Sequence, residues 1–199
     1  MTPEAVVQAA LEVLDDEGIE GVSTRAVANK LDVRMNTVLW HIKTKGRLLE
    51  LMADAIVGDV ATEGVEGDGR QRAGELVRRL RWTLLSHRDG ARVVSGTFPA
   101  EPNTLGLADR LLSALLEDSS SGQQAAWTAW ALFYFTLGLV QEEQTTPAGI
   151  NDLIARNISE DAYPALFRVV DEFVSADFDE RFEYGLTTML SSLGSPKSR

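Results

Sequence analysis

Residues 125–140 read AAWTAWALFYFTLGLV, a run of sixteen positions without one charge. Wound as a helix, this run is apolar on every side, and a helix of that kind has to be covered by several neighbours. It is shorter than the ~20 apolar residues that span a bilayer. The interior of a helical domain, or an interface between subunits, is the place left for it.

The flanking sequence is helical in the same sense. Residues 3–17 carry Val6, Ala9, Ala10, Val13 and Leu14 at three- and four-residue steps, with Thr2 as a cap, Pro3 in the first position and Glu4 in the first turn. Gly18 supplies a left-handed stop. Ser23 or Thr24 opens a second helix with Val27, Ala28 and Leu31 inside; Met35 or Asn36 opens a third that runs through Ile42. A fourth starts at Lys45 or Gly46, and further helices are expected over roughly 71–87, 90–96, 104–117, 122–143 and 176–193. Asn103 or Thr104 is the expected cap of the third of these and Ser121 that of the fourth. No alternating strand pattern and no internal repeat is present. The expected fold class is all-α, with 1–45 as an N-terminal three-helix module and 46–62 as a connecting helix. Residues 63–194 form a larger helical domain and 195–199 a tail that frays.

Composition narrows the chemistry. A chain of 199 residues with no cysteine has no disulfide, thiol nucleophile or thiolate metal site. Its two histidines, His41 and His87, lie far apart, and no phosphate-cradling glycine loop or acidic–histidine metal spacing accompanies them. Catalysis is therefore not expected. The N-terminus lacks a basic start and a long apolar core, so a cytoplasmic protein without a membrane partner is expected.

Charge is unevenly placed. The formal net charge is −11, yet residues 23–47 hold Arg25, Lys30, Arg34, Lys43, Lys45 and Arg47 against Asp32 alone. A basic patch on an acidic body points to a polyanion that docks at that patch only. Two short helices around the turn at 32–34 fit a helix-turn-helix, whose second helix enters the major groove. The turn needs a residue that tolerates positive φ at position 32, where glycine is ideal and Asp is among the few alternatives. Ala28 is small enough for close helix approach, and Val33 and Val38 fill the wedge.

The stretch STRAVANKLDVRMNTVLWHIKTKGRLLELM resembles the DNA-binding segment of the TetR family of bacterial repressors, and of the tetracycline repressors in particular. The resemblance rests on Thr24, Arg25, Ala28, Leu31, Thr37, Trp40, His41, Lys43, Lys45, Leu48 and Leu49 and on the upstream AALEVLDDEGIEGVSTR. HRDGARVVSGTFP and WALFYFTLGLVQEEQ are similar to the C-terminal domain of the same repressors. Asp32, the trio Arg34-Met35-Asn36 and Leu39 depart from the family pattern, so a different operator is implied.

Side-chain chemistry divides the labour at the DNA. Arg34 suits guanine and Asn36 adenine, while Met35 and Leu39 suit a thymine methyl. Thr24, Arg25, Thr37, His41 and Lys45 suit phosphates. Trp40 matches the family's DNA-binding set but reads more simply as an inward packing residue, alongside Val38 and Ile42.

For the C-terminal domain the resemblance implies a homodimer on a palindromic operator and a small-molecule effector in a cavity. Tyr134, Leu137, Phe178, Phe182, Leu186 and Met189 are the candidates for the dimer seam or the core beneath it. Trp82, Leu85, Val94, Thr97, Phe98, Leu111, Trp127, Trp130 and Phe133 are the candidate cavity lining, and ordinary core packing explains any one of them equally well. Tetracycline repressors bind a magnesium–drug chelate; the resemblance places Val94 at their histidine, Thr97 at their threonine and Gln141 at their glutamate. Valine cannot bind a metal and glutamine lacks the charge a hard cation prefers. A magnesium–tetracycline chelate is thus not expected, and no other cofactor is. The implied function is a ligand-responsive DNA-binding regulator, a repressor released by a hydrophobic or aromatic effector. The alternatives are a dimeric co-regulator of the same fold that does not bind DNA, and an enzyme.

Overall fold

The computed structural model describes residues 1–97, 100–175 and 177–193 and, among them, contains helices but no strand. The N-terminal module is α1 (Pro3–Glu17), α2 (Thr24–Lys30) and α3 (Met35–Ile42). Its caps follow from the residues at its joints. The Thr2 hydroxyl accepts from the Ala5 amide, Ser23 caps α2 through the Ala26 amide, and Gly18 leaves α1 with φ 76°. Val6, Ala10, Leu14, Val27, Ala28, Val38 and Ile42 bury the faces these helices share.

Helix α4 (Lys45–Gly58), capped by Thr44, belongs to both halves of the molecule. It packs on α1 and α3 on one side and on α5 (Gly69–Ser86), α6 (Gly90–Ser95) and α7 (Pro102–Asp118) on the other. The C-terminal half is a bundle of α5, α7, α8 (Gly122–Thr145) and α12 (Phe178–Ser191). Asp68 and Gln71 close a reciprocal capping box at the start of α5, and Ser121 caps α8. The start of α7 differs from expectation: Pro102, not Asn103 or Thr104, opens it, and Glu101 precedes it with no side-chain cap of its own.

The apolar run is covered on one side only. Ala125, Thr128, Ala129, Leu132, Thr136 and Val140 form the stripe that is buried where α5, α6, α7 and α12 pack on α8. The opposite stripe leaves Trp127, Trp130 and Tyr134 more than half exposed, with the Trp130 and Tyr134 rings stacked at 5.4 Å. Helix α12 lies close to α8 because Gly185 has no side chain: a β-carbon there would sit 2.2 Å from the Phe135 ring. Phe135 in turn stacks on Phe182 at 6.0 Å.

One buried cation ties this bundle. Arg81, only 3% exposed, donates to Glu143 of α8 at 2.8 Å and to Asp179 of α12 at 2.6 Å. Its guanidinium also lies over the Phe182 ring at 5.0 Å. Between α8 and α12 run three short helices that the periodicity does not announce: α9 (Ile150–Asn157), α10 (Pro164–Phe167) and α11 (Val170–Phe173), none with a buried residue. Leu153, Tyr163, Phe167 and Phe173 stand on this segment in the open. The tail expected at 195–199 lies outside the described residues.

Candidate nucleic-acid interface and effector domain

The turn between α2 and α3 is built by its backbone. Asp32 takes φ 51°, the left-handed value the turn requires, and the Val33 amide donates to the Ala28 carbonyl at 3.0 Å. Ala28 is buried against this turn, where a longer side chain would hold the helices apart. α3 then presents two faces. Val38 and Ile42 are wholly buried, while Arg34, Met35, Asn36, Thr37 and Trp40 are exposed.

Trp40 corrects the sequence-based expectation of an inward ring: it is 77% exposed and meets His41 edge-on at 4.8 Å. The two inward slots of this short helix are filled by aliphatic side chains, and the indole has no room among them. Leu39, His41 and Thr24 are half-buried at the margin of the same surface.

α3 ends in a feature that no residue type announces. Lys43 has φ 64° and ψ −50°, and the Thr44 amide donates to the Ile42 carbonyl at 2.7 Å. This is a γ-turn of the rare, strained hand. It reverses the chain within one residue and leaves Lys43 and Lys45 both exposed beside α3.

Ion pairing sorts the basic patch into two groups. Lys30 is bound to Asp16 at 3.0 Å and Glu12 at 3.3 Å, which holds it above the usual lysine range. Arg47 is bound to Glu101 and Glu50, and its hydrogen bond holds the Glu101 carboxyl below the usual carboxylate range. Among the described residues, Arg25, Arg34, Lys43 and Lys45 make no ion pair. These four exposed, uncompensated cations surround the exposed face of α3 in a protein of net charge −11. That arrangement concentrates positive potential, and so attraction for phosphate, on the exposed face of α3.

The effector candidates separate in the same way. Leu85, Val94 and Phe133 are half-buried against the core, and Leu111 is part of it. Trp82, Trp127 and Trp130 do not line an interior: they are 62%, 66% and 55% exposed. Their helices turn aliphatic and small residues inward, so the indoles point out of the bundle. Phe98 lies outside the described residues.

A hard cation finds few donors near α6. Val94 offers none, and Thr97, whose hydroxyl donates to the carbonyls of Val94 at 3.1 Å and Val93 at 3.3 Å, contributes only one neutral oxygen. Gln141 lies near Ser95, and its neighbour Glu142 is engaged by Arg181. The residues present do not fit a magnesium chelate of the tetracycline type. Of the seam candidates, Phe182 and Leu186 are core residues of the single chain, consumed by the contact with α8. Leu137, Phe178 and Met189 are half-buried, and Tyr134 is exposed.

A helix-turn-helix with an uncompensated basic face, joined through one shared helix to a larger helical domain, defines a DNA-binding regulator of the helix-turn-helix class. The family model for the tetracyclin repressor-like C-terminal domain matches residues 62–195. The class A tetracycline repressor of transposon 1721 from Escherichia coli is 32% identical over 97% of this chain and 90% of its own length. Among solved structures, a possible TetR family transcriptional regulator from Streptomyces coelicolor A3(2) superposes with TM-score 0.85 at 34% identity. That match covers 96% of this chain and 98% of that one. The S. coelicolor TetR family protein ActR in complex with actinorhodin superposes with TM-score 0.88 at 26% identity, over 97% of this chain and 96% of ActR. The chain belongs to the TetR family, with a C-terminal domain of the tetracycline-repressor type.

Proposed function

We propose that the protein works as a homodimeric repressor that grips a palindromic operator through α3 and releases it when a metal-free, largely hydrophobic or aromatic effector enters the C-terminal domain. The observation that carries the DNA half is the contrast in pairing: Arg25, Arg34, Lys43 and Lys45, around the α3 face, make no ion pair among the described residues, whereas Lys30 and Arg47 are spent within the chain. The exposed stripe of Trp127, Trp130 and Tyr134 supports a second copy against α8. A two-fold dimer sets two recognition helices about 34 Å apart, one helical turn of DNA. ActR, whose structure is known in complex with actinorhodin, supports the effector half, and the poor donor set at Val94 and Thr97 supports a metal-free one. Effector and operator then oppose each other reciprocally, each favouring one of two dimer states.

The DNA half is tested by two substitutions measured on an operator selected from the protein's own upstream region and on random DNA. Arg34→Ala is expected to relax base preference, at a cost of about 1–3 kcal/mol on the operator and little on random DNA. Lys45→Ala is expected to weaken both alike and to lower the salt slope by about 1. Identical effects of the two changes on both DNAs would refute the division into base-reading and phosphate-gripping residues. For the effector half, tetracycline titrated with and without magnesium is expected to bind weakly in both cases. Tight, magnesium-dependent binding would overturn the metal-free reading.

A further inference from the structure

The joint between α4 and α7 is closed by an exchange of carboxylates across the two halves of the chain. A helix start needs acceptors for its first amides, and Glu101, the residue in the capping position of α7, supplies none. Its carboxylate instead reaches Arg47 in the first turn of α4. The missing acceptor comes from α4: Asp54, 7% exposed, accepts from the Thr104 amide and the Thr104 hydroxyl, each at 2.8 Å. Asn103 completes the contact by donating its side-chain amide to the Asp54 carbonyl at 3.2 Å. Gly58, one turn further along α4, leaves the room that the Asn103 side chain fills.

We propose that Asp54 is a positioning residue that caps α7 from α4, so that α4 has one defined seat rather than a continuous range of positions. If α4 leaves the seat, the Thr104 amide and the Asp54 carboxylate lose their partners together, a cost that makes the joint two-state. Helix α6 itself packs directly on α4, beside this clasp. A change at the end of α6 is therefore passed to α4, and through it to α3, by opening or closing the clasp. This rests on the repressor reading for its consequence at DNA, but the clasp itself exists in the free protein.

The experiment uses the full-length protein and two readouts. In Asp54→Ala, the Thr104 amide is expected to exchange hydrogen roughly tenfold faster while the middle of α7 is unchanged; Asp54→Asn, which keeps an acceptor oxygen, restores slow exchange. Operator affinity is expected to shift about fivefold or more in Asp54→Ala, with random-DNA affinity and salt slope unchanged, and Asp54→Asn again resembles the parent. A purely structural loss would not spare random DNA and the salt slope in this way. Glu101→Gln is the second variant, away from the core, and shifts operator affinity in the same direction. Unchanged Thr104 exchange in Asp54→Ala, a smaller operator shift, or opposite shifts in Asp54→Ala and Glu101→Gln would each overturn the proposal. A parent protein that does not tell operator from random DNA would instead refute the repressor reading, while the exchange readout still judges the clasp.

Discussion

Lys43 sets an exposed cation on the proposed DNA-binding face at the expense of stability. A lysine at φ 64° and ψ −50° is held in a region that costs about 1–3 kcal/mol. Glycine escapes that strain but loses about 0.5–1 kcal/mol of unfolded-chain entropy. Lys43→Gly is thus expected to raise stability by roughly 1 kcal/mol in urea unfolding while weakening operator binding through the lost cation. A variant both less stable and unaltered in DNA binding would contradict this account. At the same scale, Asp32 was legible from the sequence, because a helix-turn-helix needs a positive φ there and Asp is among the few residues that supply it. Trp40 was not legible. Hydrophobicity says only that an indole gains from burial, and the outcome depended on Val38 and Ile42 filling the inward slots first.

At the scale of the element, the caps written by Thr2, Ser23 and Ser121 made the starts of α1, α2 and α8 readable to within two residues, whereas the Asp68 cap of α5 went unread. Helix α7 escaped the rule because its cap comes from Asp54, fifty residues earlier in the chain. Helices α9 to α11 escaped it for another reason: with nothing buried, they impose no period on the sequence. The links between α5, α8 and α12 were equally hidden, since neither Arg81 nor Gly185 advertises its neighbours. Arg81→Ala strands Glu143 and Asp179 and removes packing on Phe182, for an expected loss of about 3 kcal/mol. The low end of the range applies because Asp179 is largely exposed. Gly185→Ala forces the Phe135 ring away and is expected to cost about 1–3 kcal/mol. Thermal or urea unfolding measures both, and a loss under about 0.5 kcal/mol in either would mean that the α8–α12 contact is looser than described.

For the whole molecule, the ion pairs that join its helices also set its response to acid. Arg47 depresses the Glu101 carboxyl, and Arg78, with a forked pair at 2.6 and 2.7 Å, depresses that of Glu183. Carboxylates depressed by folding stabilise fully above their unfolded value of about 4.3 and lose that contribution as pH falls below it. Glu183→Gln is therefore expected to lower stability near pH 6 by less than about 1 kcal/mol, the pair being well exposed, and to change nothing near pH 2. An equal loss at both pH values would assign the effect to packing. The placement of the indoles has an optical consequence. All four tryptophans are more than half exposed, so none reports on the core. Unfolding of a single chain, apart from any partner, should scarcely shift the emission maximum. Trp40 instead lies where DNA would quench it, and Trp127 and Trp130 where a second copy would shield them. Native fluorescence thus reads out what the protein is bound to far better than whether it is folded.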